Sequence, residues 1–193
     1  MPPPPRWLEA LEQRAPDVVA VWRALDDGTL SFRRQIRHRA GPDTAAGVLA
    51  QLEAVADALS EALDATSDEL LQAPGGEEDW NVAQSFAHTT GSRRWLVHAA
   101  ALAACGAWPR DPPVVRPGVP GPADASRELL QSYLDKSRRS MAVSAEAIVG
   151  HEDERCPLEH PLVGPLRCGE WLLFAGVHDL MHLEQMHRLL DDG

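Results

Sequence analysis

The chain has 193 residues, 44% of them apolar, which is enough for one globular domain with a sizeable core and too apolar for a disordered tail. A formal charge of -11 sets a repulsive field against nucleic acid and anionic membranes, so neither is expected as a partner and a small-molecule ligand is. Three cysteines without a C-x-x-C spacing (Cys105, Cys156, Cys168), no signal-peptide pattern in Pro2 to Pro5 and no membrane-length apolar run together give the expectation of a cytoplasmic protein with reduced thiols.

Residues 1–40 read as a helical N-terminal extension and residues 41–193 as the main domain. Trp7 to Gln13 is amphipathic, Pro16 opens a second piece, and Asp26, Asp27 and Gly28 make a turn before the basic run Arg33, Arg34, Arg37, His38 and Arg39. That run is either an anion contact or a helix face that pairs with the acidic remainder. In so acidic a chain the second reading is preferred, and no site is placed there.

Four longer helical patterns follow. Pro42 and Asp43 open the first, with Val48, Leu52, Val55, Leu59 and Leu63 at threes and fours until Pro74, Gly75 and Gly76. Asn81 caps the second, which runs to Cys105 and is closed by Gly106, Pro109 and a Pro-rich crossover reaching Pro122. Ala123 to Val149 is the third, ended by Gly150. The fourth spans Gly169 to Asp191, after a loop holding His151, Cys156, His160, Pro161, Gly164 and Pro165. No alternating strand pattern competes, so the fold class is all-α: a four-helix bundle plus the short helical extension.

In the fourth helix His178 and His182 stand four residues apart, close to one turn, so both rings project from one face and can grip a single metal ion. Trp171, Phe174, Ala175, Gln185 and Leu189 share their stripe, with Gln185 placed either to hydrogen-bond a ligand histidine or to make an interhelical contact. His187, Asp179 and Glu184 are expected on the solvent side. The third ligand candidate is His88, whose stripe on the second helix includes Ser85, Ser92, Trp95 and Ala99; His98 lies off it. Alone, each histidine is more simply a packed ring bonded to a carbonyl, but three on two inward faces favour a metal site. The rival group His151, Cys156 and His160 has a spacing unlike common structural zinc knuckles.

Trp80 and Asn81 followed by His88, the loop His160-Pro161-Leu162-Val163-Gly164-Pro165-Leu166, Glu170-Trp171-Leu172, then His178-Asp179, His182 and Gln185 resemble the DinB-like (DinB/YfiT) superfamily of metalloenzymes over residues 43–191. The resemblance implies an up-up-down-down bundle with a long crossover, often a homodimer, with His88, His178 and His182 holding one divalent metal ion. Asn81 stands where family members commonly carry Ser or Thr, and caps as well. Family chemistry includes transferases and isomerases that use low-molecular-weight thiols, so the implied function is metal-dependent activation of such a thiol for transfer to, or isomerisation of, a small electrophile. The alternative is a noncatalytic metal- or ligand-binding bundle with a stress-associated or sensing role. No catalytic base accompanies the three histidines, since Glu78 and Asp79 precede the second helix. Three imidazoles accept zinc, nickel, iron or manganese alike. A homodimer is also expected from Trp95, Trp108 and Leu172 as an apolar surplus, and Arg93 or Arg94 are candidate basic groups near the site mouth.

Overall fold

The computed structural model describes residues 5–74 and 80–191. Gly75, Gly76, Glu78 and Asp79, and Pro2 to Pro4, lie outside the described residues. Three short helices come first, α1 (Arg6–Arg14), α2 (Pro16–Arg23) and α3 (Thr29–Arg39), followed by α4 (Ala45–Ala65), α5 (Asp68–Gln72), α6 (Val82–Ala104), α7 (Arg127–Ile148), strands β1 (Arg155–His160) and β2 (Gly164–Arg167), and α8 (Cys168–Asp191). The fold is all-α apart from this one hairpin. No helix among the described residues is long and apolar enough to cross a membrane.

The bundle is α4, α6, α7 and α8. α6 packs against α7 and α8, and α4 packs against the same two, which makes α4/α6 and α7/α8 the diagonal pairs. The periodic residues of α4 drive this: Val48, Leu52, Val55, Leu59 and Leu63 are all buried. Helix ends are held by local chemistry. Asn81 Oδ1 accepts from Gln84 N at 2.8 Å while Gln84 Oε1 accepts from Asn81 N at 3.1 Å, a reciprocal cap that starts α6. Ser126 Oγ accepts from Leu129 N to start α7. Arg127 reaches back to donate to the carbonyls of Leu63 and Thr66 at the end of α4, where the former also accepts from Thr66 N.

The first three helices contribute Leu8, Leu11, Val18, Val19, Val21, Phe32 and Ile36 to the same core cluster. α2 crosses α8 at Gly176, where an added Cβ would lie 2.6 Å from Leu52 Cδ2 and 3.0 Å from Val18 Cγ1, so only glycine permits the approach. The basic run sits on α3 and pairs structurally. Arg33 donates to Pro165 O at 2.9 Å, Arg37 Nε meets Glu170 Oε1 at 3.0 Å and Arg39 meets Asp17 at 2.6 Å.

The hairpin corrects the expectation of a strandless loop. β1 and β2 pair antiparallel through Glu159↔Pro165 and His160↔Gly164, with an irregularity between Arg155 and Glu159. Buried and exposed residues do alternate along β1, but both strands are short and carry a proline, Pro157 and Pro165, which is why the segment reads as loop. Gly164 has φ 71, the left-handed turn geometry that glycine supplies without strain. Leu172 is fully buried, and Trp95 and Trp108 pack partly against the core, so these three form no common exposed patch.

Two expectations about charge are also corrected. Asp179 is buried, not solvent-facing, and Arg93 is equally buried, so it is no basic group at a mouth. Their side chains meet inside the bundle, Arg93 Nε 3.0 Å from Asp179 Oδ2. The Nε hydrogen points instead at Met141 Sδ, 3.0 Å away, and Nη2 donates to Leu52 O at 3.2 Å. Burial pushes the Asp179 carboxyl up to about 7, against the opposing pull of Arg93. A polar pair at helix positions that read as exposed is invisible to periodicity because each partner conceals the other's charge. Arg93→Met, which strands the buried carboxyl, is expected to cost about 3–5 kcal/mol, whereas Arg93→Met with Asp179→Leu recovers most of it. Urea midpoints of the two variants check this; equal losses in both would show that the pair is not coupled.

Candidate metal centre

His178 and His182 project from α8 on the face packed against α6, and His88 projects from α6 to meet them. The ring centroids of His88 lie 5.2 Å from His178 and 4.8 Å from His182, and those of His178 and His182 are 4.7 Å apart. One nitrogen from each residue lies within 4.8 Å of the others. The four-residue spacing and the third ring from the neighbouring helix, both read from sequence, are therefore brought together. Among the described residues the rival group is not: His151 pairs with Glu154 at 2.7 Å, and Cys156 is buried beside Cys168, whose thiol interaction lowers the Cys156 pKa.

The tautomers of His88 and His182 follow from their partners. His88 Nδ1 lies 2.7 Å from the carbonyl oxygen of Val119, which can only accept, so Nδ1 carries the hydrogen and Nε2 presents a lone pair. His182 Nδ1 lies 3.0 Å from Gln185 Oε1, which fixes the same tautomer. Gln185 thus has the hydrogen-bonding role its stripe position offered. His88 Nε2 faces His178 Nε2 at 3.3 Å, and Ser92 Oγ is 3.4 Å from the same atom. Burial keeps His178 and His182 neutral: it drives the His178 pKa well below its ordinary value, helped by His182, His88 and His160, and takes His182 down to about 4 against the raising effect of Gln185.

This donor set fits a divalent ion. Nitrogens at about 2.05 Å from a tetrahedral centre stand about 3.3 Å apart, the separation found between His88 Nε2 and His178 Nε2. With hydrogens on both Nδ1 atoms, two lone pairs face each other at that distance and repel unless a cation lies between them; with the hydrogen on His178 Nε2 the two rings hydrogen-bond instead. His178 Nδ1 is buried without a hydrogen-bond partner.

The crossover from α6 to α7 forms the near wall. Gly121 N donates to Gln84 O at 3.2 Å and Asn81 Nδ2 donates to Ala123 O at 3.0 Å, which straps the segment onto the start of α6. At Gly121 an added Cβ would lie 2.4 Å from Ala87 Cβ and 3.0 Å from His88 N, so this glycine sets how closely the strap lies and hence where the Val119 carbonyl sits. Trp80 stacks on His182 with centroids 6.0 Å apart and planes 9° off parallel, and presents an edge to His88 at 5.0 Å. The histidines open into a cavity of about 1030 Å³, bounded by the strap, α6, α8 and the hairpin.

Sequence reading missed three contributors. The Val119 carbonyl is backbone and leaves no side-chain signal. Trp80 was legible only as part of a resemblance. His160, grouped with the rival constellation, instead lines the cavity, its ring 5.1 Å from Phe174. Its only sequence signal is the Pro- and Gly-bearing turn that follows it. His187 is not a lone solvent group either: it stacks on Trp7 at 4.9 Å.

No curated protein and no solved structure matches the chain. A family model described as the DinB superfamily matches residues 51–186, which takes in α6, the strap, α7, the hairpin and all three histidines. Together with the helical fold, that match over most of the sequence assigns the chain to the DinB superfamily.

Proposed function

We propose that this protein is a divalent-metal-dependent enzyme that activates a low-molecular-weight thiol for transfer to, or isomerisation of, a small electrophile. The observation that supports it most is the convergence of three imidazoles at the floor of a large cavity, two of them with Nδ1–H already committed to acceptors. His88, His178 and His182 would hold the ion. A bound ion supplies Lewis acidity, which favours the deprotonated form of a thiol and so a nucleophile at neutral pH. The chain's own groups do the remaining work. Val119 and Gln185 orient two of the rings, Trp80 covers a third side, and the strap and hairpin limit water. Such chemistry needs no protein base beside the ligands, in keeping with a cavity whose charged lining, among the described residues, is Asp111 and Arg116.

Metal analysis of protein purified without a histidine tag is expected to give one divalent ion per chain, zinc, nickel, iron or manganese, and His88→Ala, His178→Ala or His182→Ala is expected to remove stoichiometric binding. Full metal content in His178→Ala, with loss in His151→Ala or Cys156→Ser, would move the site to the hairpin.

Gly121→Ala is expected to leave the helical fold intact and weaken metal binding about 10-fold or more, because it lifts the Val119 carbonyl away from His88. Competition with a chelator measures this; wild-type affinity in the variant would show that the strap does not set the ring.

Cobalt-substituted protein is expected to develop a sulfur-to-metal charge-transfer band on addition of cysteine, glutathione, mycothiol or bacillithiol, and His182→Ala is expected to lack it. No band with any of the four would favour the noncatalytic metal- or ligand-binding bundle instead.

A further inference from the structure

We propose that His160 is the hydrogen-bond donor that selects the cavity's ligand, a small uncharged molecule with an apolar body and one carbonyl oxygen. The inference rests on the cavity being the electrophile's site in the reading above.

His160 ends β1 and lines the same cavity as the three histidines, but from the hairpin, a different element. The backbone N–H of Leu162 donates to its Nδ1 at 3.2 Å. A ring nitrogen that accepts carries no hydrogen, so in the neutral ring the hydrogen is on Nε2. Burial holds the ring neutral by lowering its pKa. A lone pair committed to Leu162 and a hydrogen on the other nitrogen give this imidazole the tautomer opposite to that of His88 and His182. It is built as a donor.

The surroundings specify what it would donate to. Phe174 and Trp171 pack against the ring at 5.1 and 6.3 Å, and Trp95, Leu162 and Met181 add apolar wall. Among the described residues the charged side chains of the lining, Asp111 and Arg116, have opposite signs and both lie on the exposed strap. An anion or a cation therefore gains little net attraction, while apolar surface gains from burial. One acceptor oxygen on an otherwise apolar molecule satisfies this environment. A carbonyl has the further property that electron density builds on its oxygen when a nucleophile adds to the attached carbon or to a conjugated one, and a fixed donor stabilises that charge.

Two probes of one shape separate the hydrogen bond from apolar burial: cyclohexyl methyl ketone, and isopropenylcyclohexane, in which C=CH2 replaces C=O. Binding to metal-stripped full-length protein is read by tryptophan fluorescence, since Trp80 and Trp95 line the cavity. The ratio of the alkene Kd to the ketone Kd is expected to fall about five- to tenfold in His160→Phe, the equivalent of one hydrogen bond, while His160→Gln, which keeps an N–H donor, retains part of it. An unchanged ratio in His160→Phe, or no measurable binding of either probe to the wild type, overturns the proposal. Should His160→Phe not fold by circular dichroism, nitrogen-15 spectra of the wild-type ring decide. A hydrogen on Nε2 that shifts with the ketone and not with the alkene supports the assignment, and a hydrogen on Nδ1 overturns it. Because the protein is metal-free, an unchanged ratio beside an intact cobalt–thiol band counts against His160 alone. A ketone preference without metal binding counts against the thiol enzyme alone.

Discussion

The seam between α6 and α8 is the constraint on which the site depends. It must pack tightly enough to exclude water and still carry imidazoles whose nitrogens need partners. The protein meets this by dividing the work of two of the rings. One nitrogen of His88 is tied to Val119 O and one of His182 to Gln185 Oε1, so the second nitrogen of each ring is turned to a common point. The seam also carries most of the polar cost of the core. Ser85, Arg93, Trp171, His178 and Asp179, all on these two helices, have buried polar atoms without a hydrogen-bond partner, against Ser137 alone on α7. Each such atom costs about 1–3 kcal/mol, so polarity has been retained where apolar side chains would be more stabilising. That concentration of local cost beside a ligand-sized cavity is the pattern expected where function and stability compete.

The strap and the hairpin turn this seam into an enclosed site, and they do so from outside the bundle. The strap has no regular secondary structure. Its position comes instead from three contacts with the first turns of α6, at Asn81, Gln84 and His88. Asn81 has two functions, because its oxygen caps the helix while its amide holds Ala123. A Ser or Thr at this position can cap equally well but has no amide to reach the strap, which gives the asparagine a physical reason. The hairpin is fixed from the other side by Arg33 on Pro165 O. The basic run on α3 therefore serves the architecture of the cavity mouth rather than an anion of its own.

How much of this was legible in the sequence follows from which side chains carry the signal. The four bundle helices were readable because their apolar residues repeat at threes and fours between strong breakers, and the ends of α6 and α8 fall within a residue or two of the expected ones. The histidine triad was readable for the same reason, a fixed spacing on a helix face. Asp179 was misread because periodicity assigns a face but not the partner on it, and Arg93 supplies that partner from 86 positions away in the chain. The hairpin was lost to the shortness of its strands and to Pro157 and Pro165 within them, and the Val119 carbonyl belongs to a class of contact that no residue type announces. Local pattern thus locates the ligand atoms, while long-range packing decides how they are oriented.

The helices ahead of the bundle show the same division. Their sequence reads as an extension, yet α2 lies in the groove of α8 at Gly176, two residues before His178, and Trp7 of α1 stacks on His187 on the far side of the same helix. α8 is therefore held on its inner face by α6 and on its outer face by α1 and α2. A helix that carries two converging histidines benefits from such a two-sided grip. A rotation of about 20° about its axis moves a ring nitrogen roughly 6 Å off the axis by about 2 Å, as large as a whole metal–nitrogen bond. Besides the seam, whose polar atoms are poorly satisfied, α4 and α2 pack on α8 and resist that rotation. The apolar contacts of Val18 and Leu52 against Gly176 supply resistance that needs no hydrogen bonds, so the least polar part of the fold steadies its most polar one.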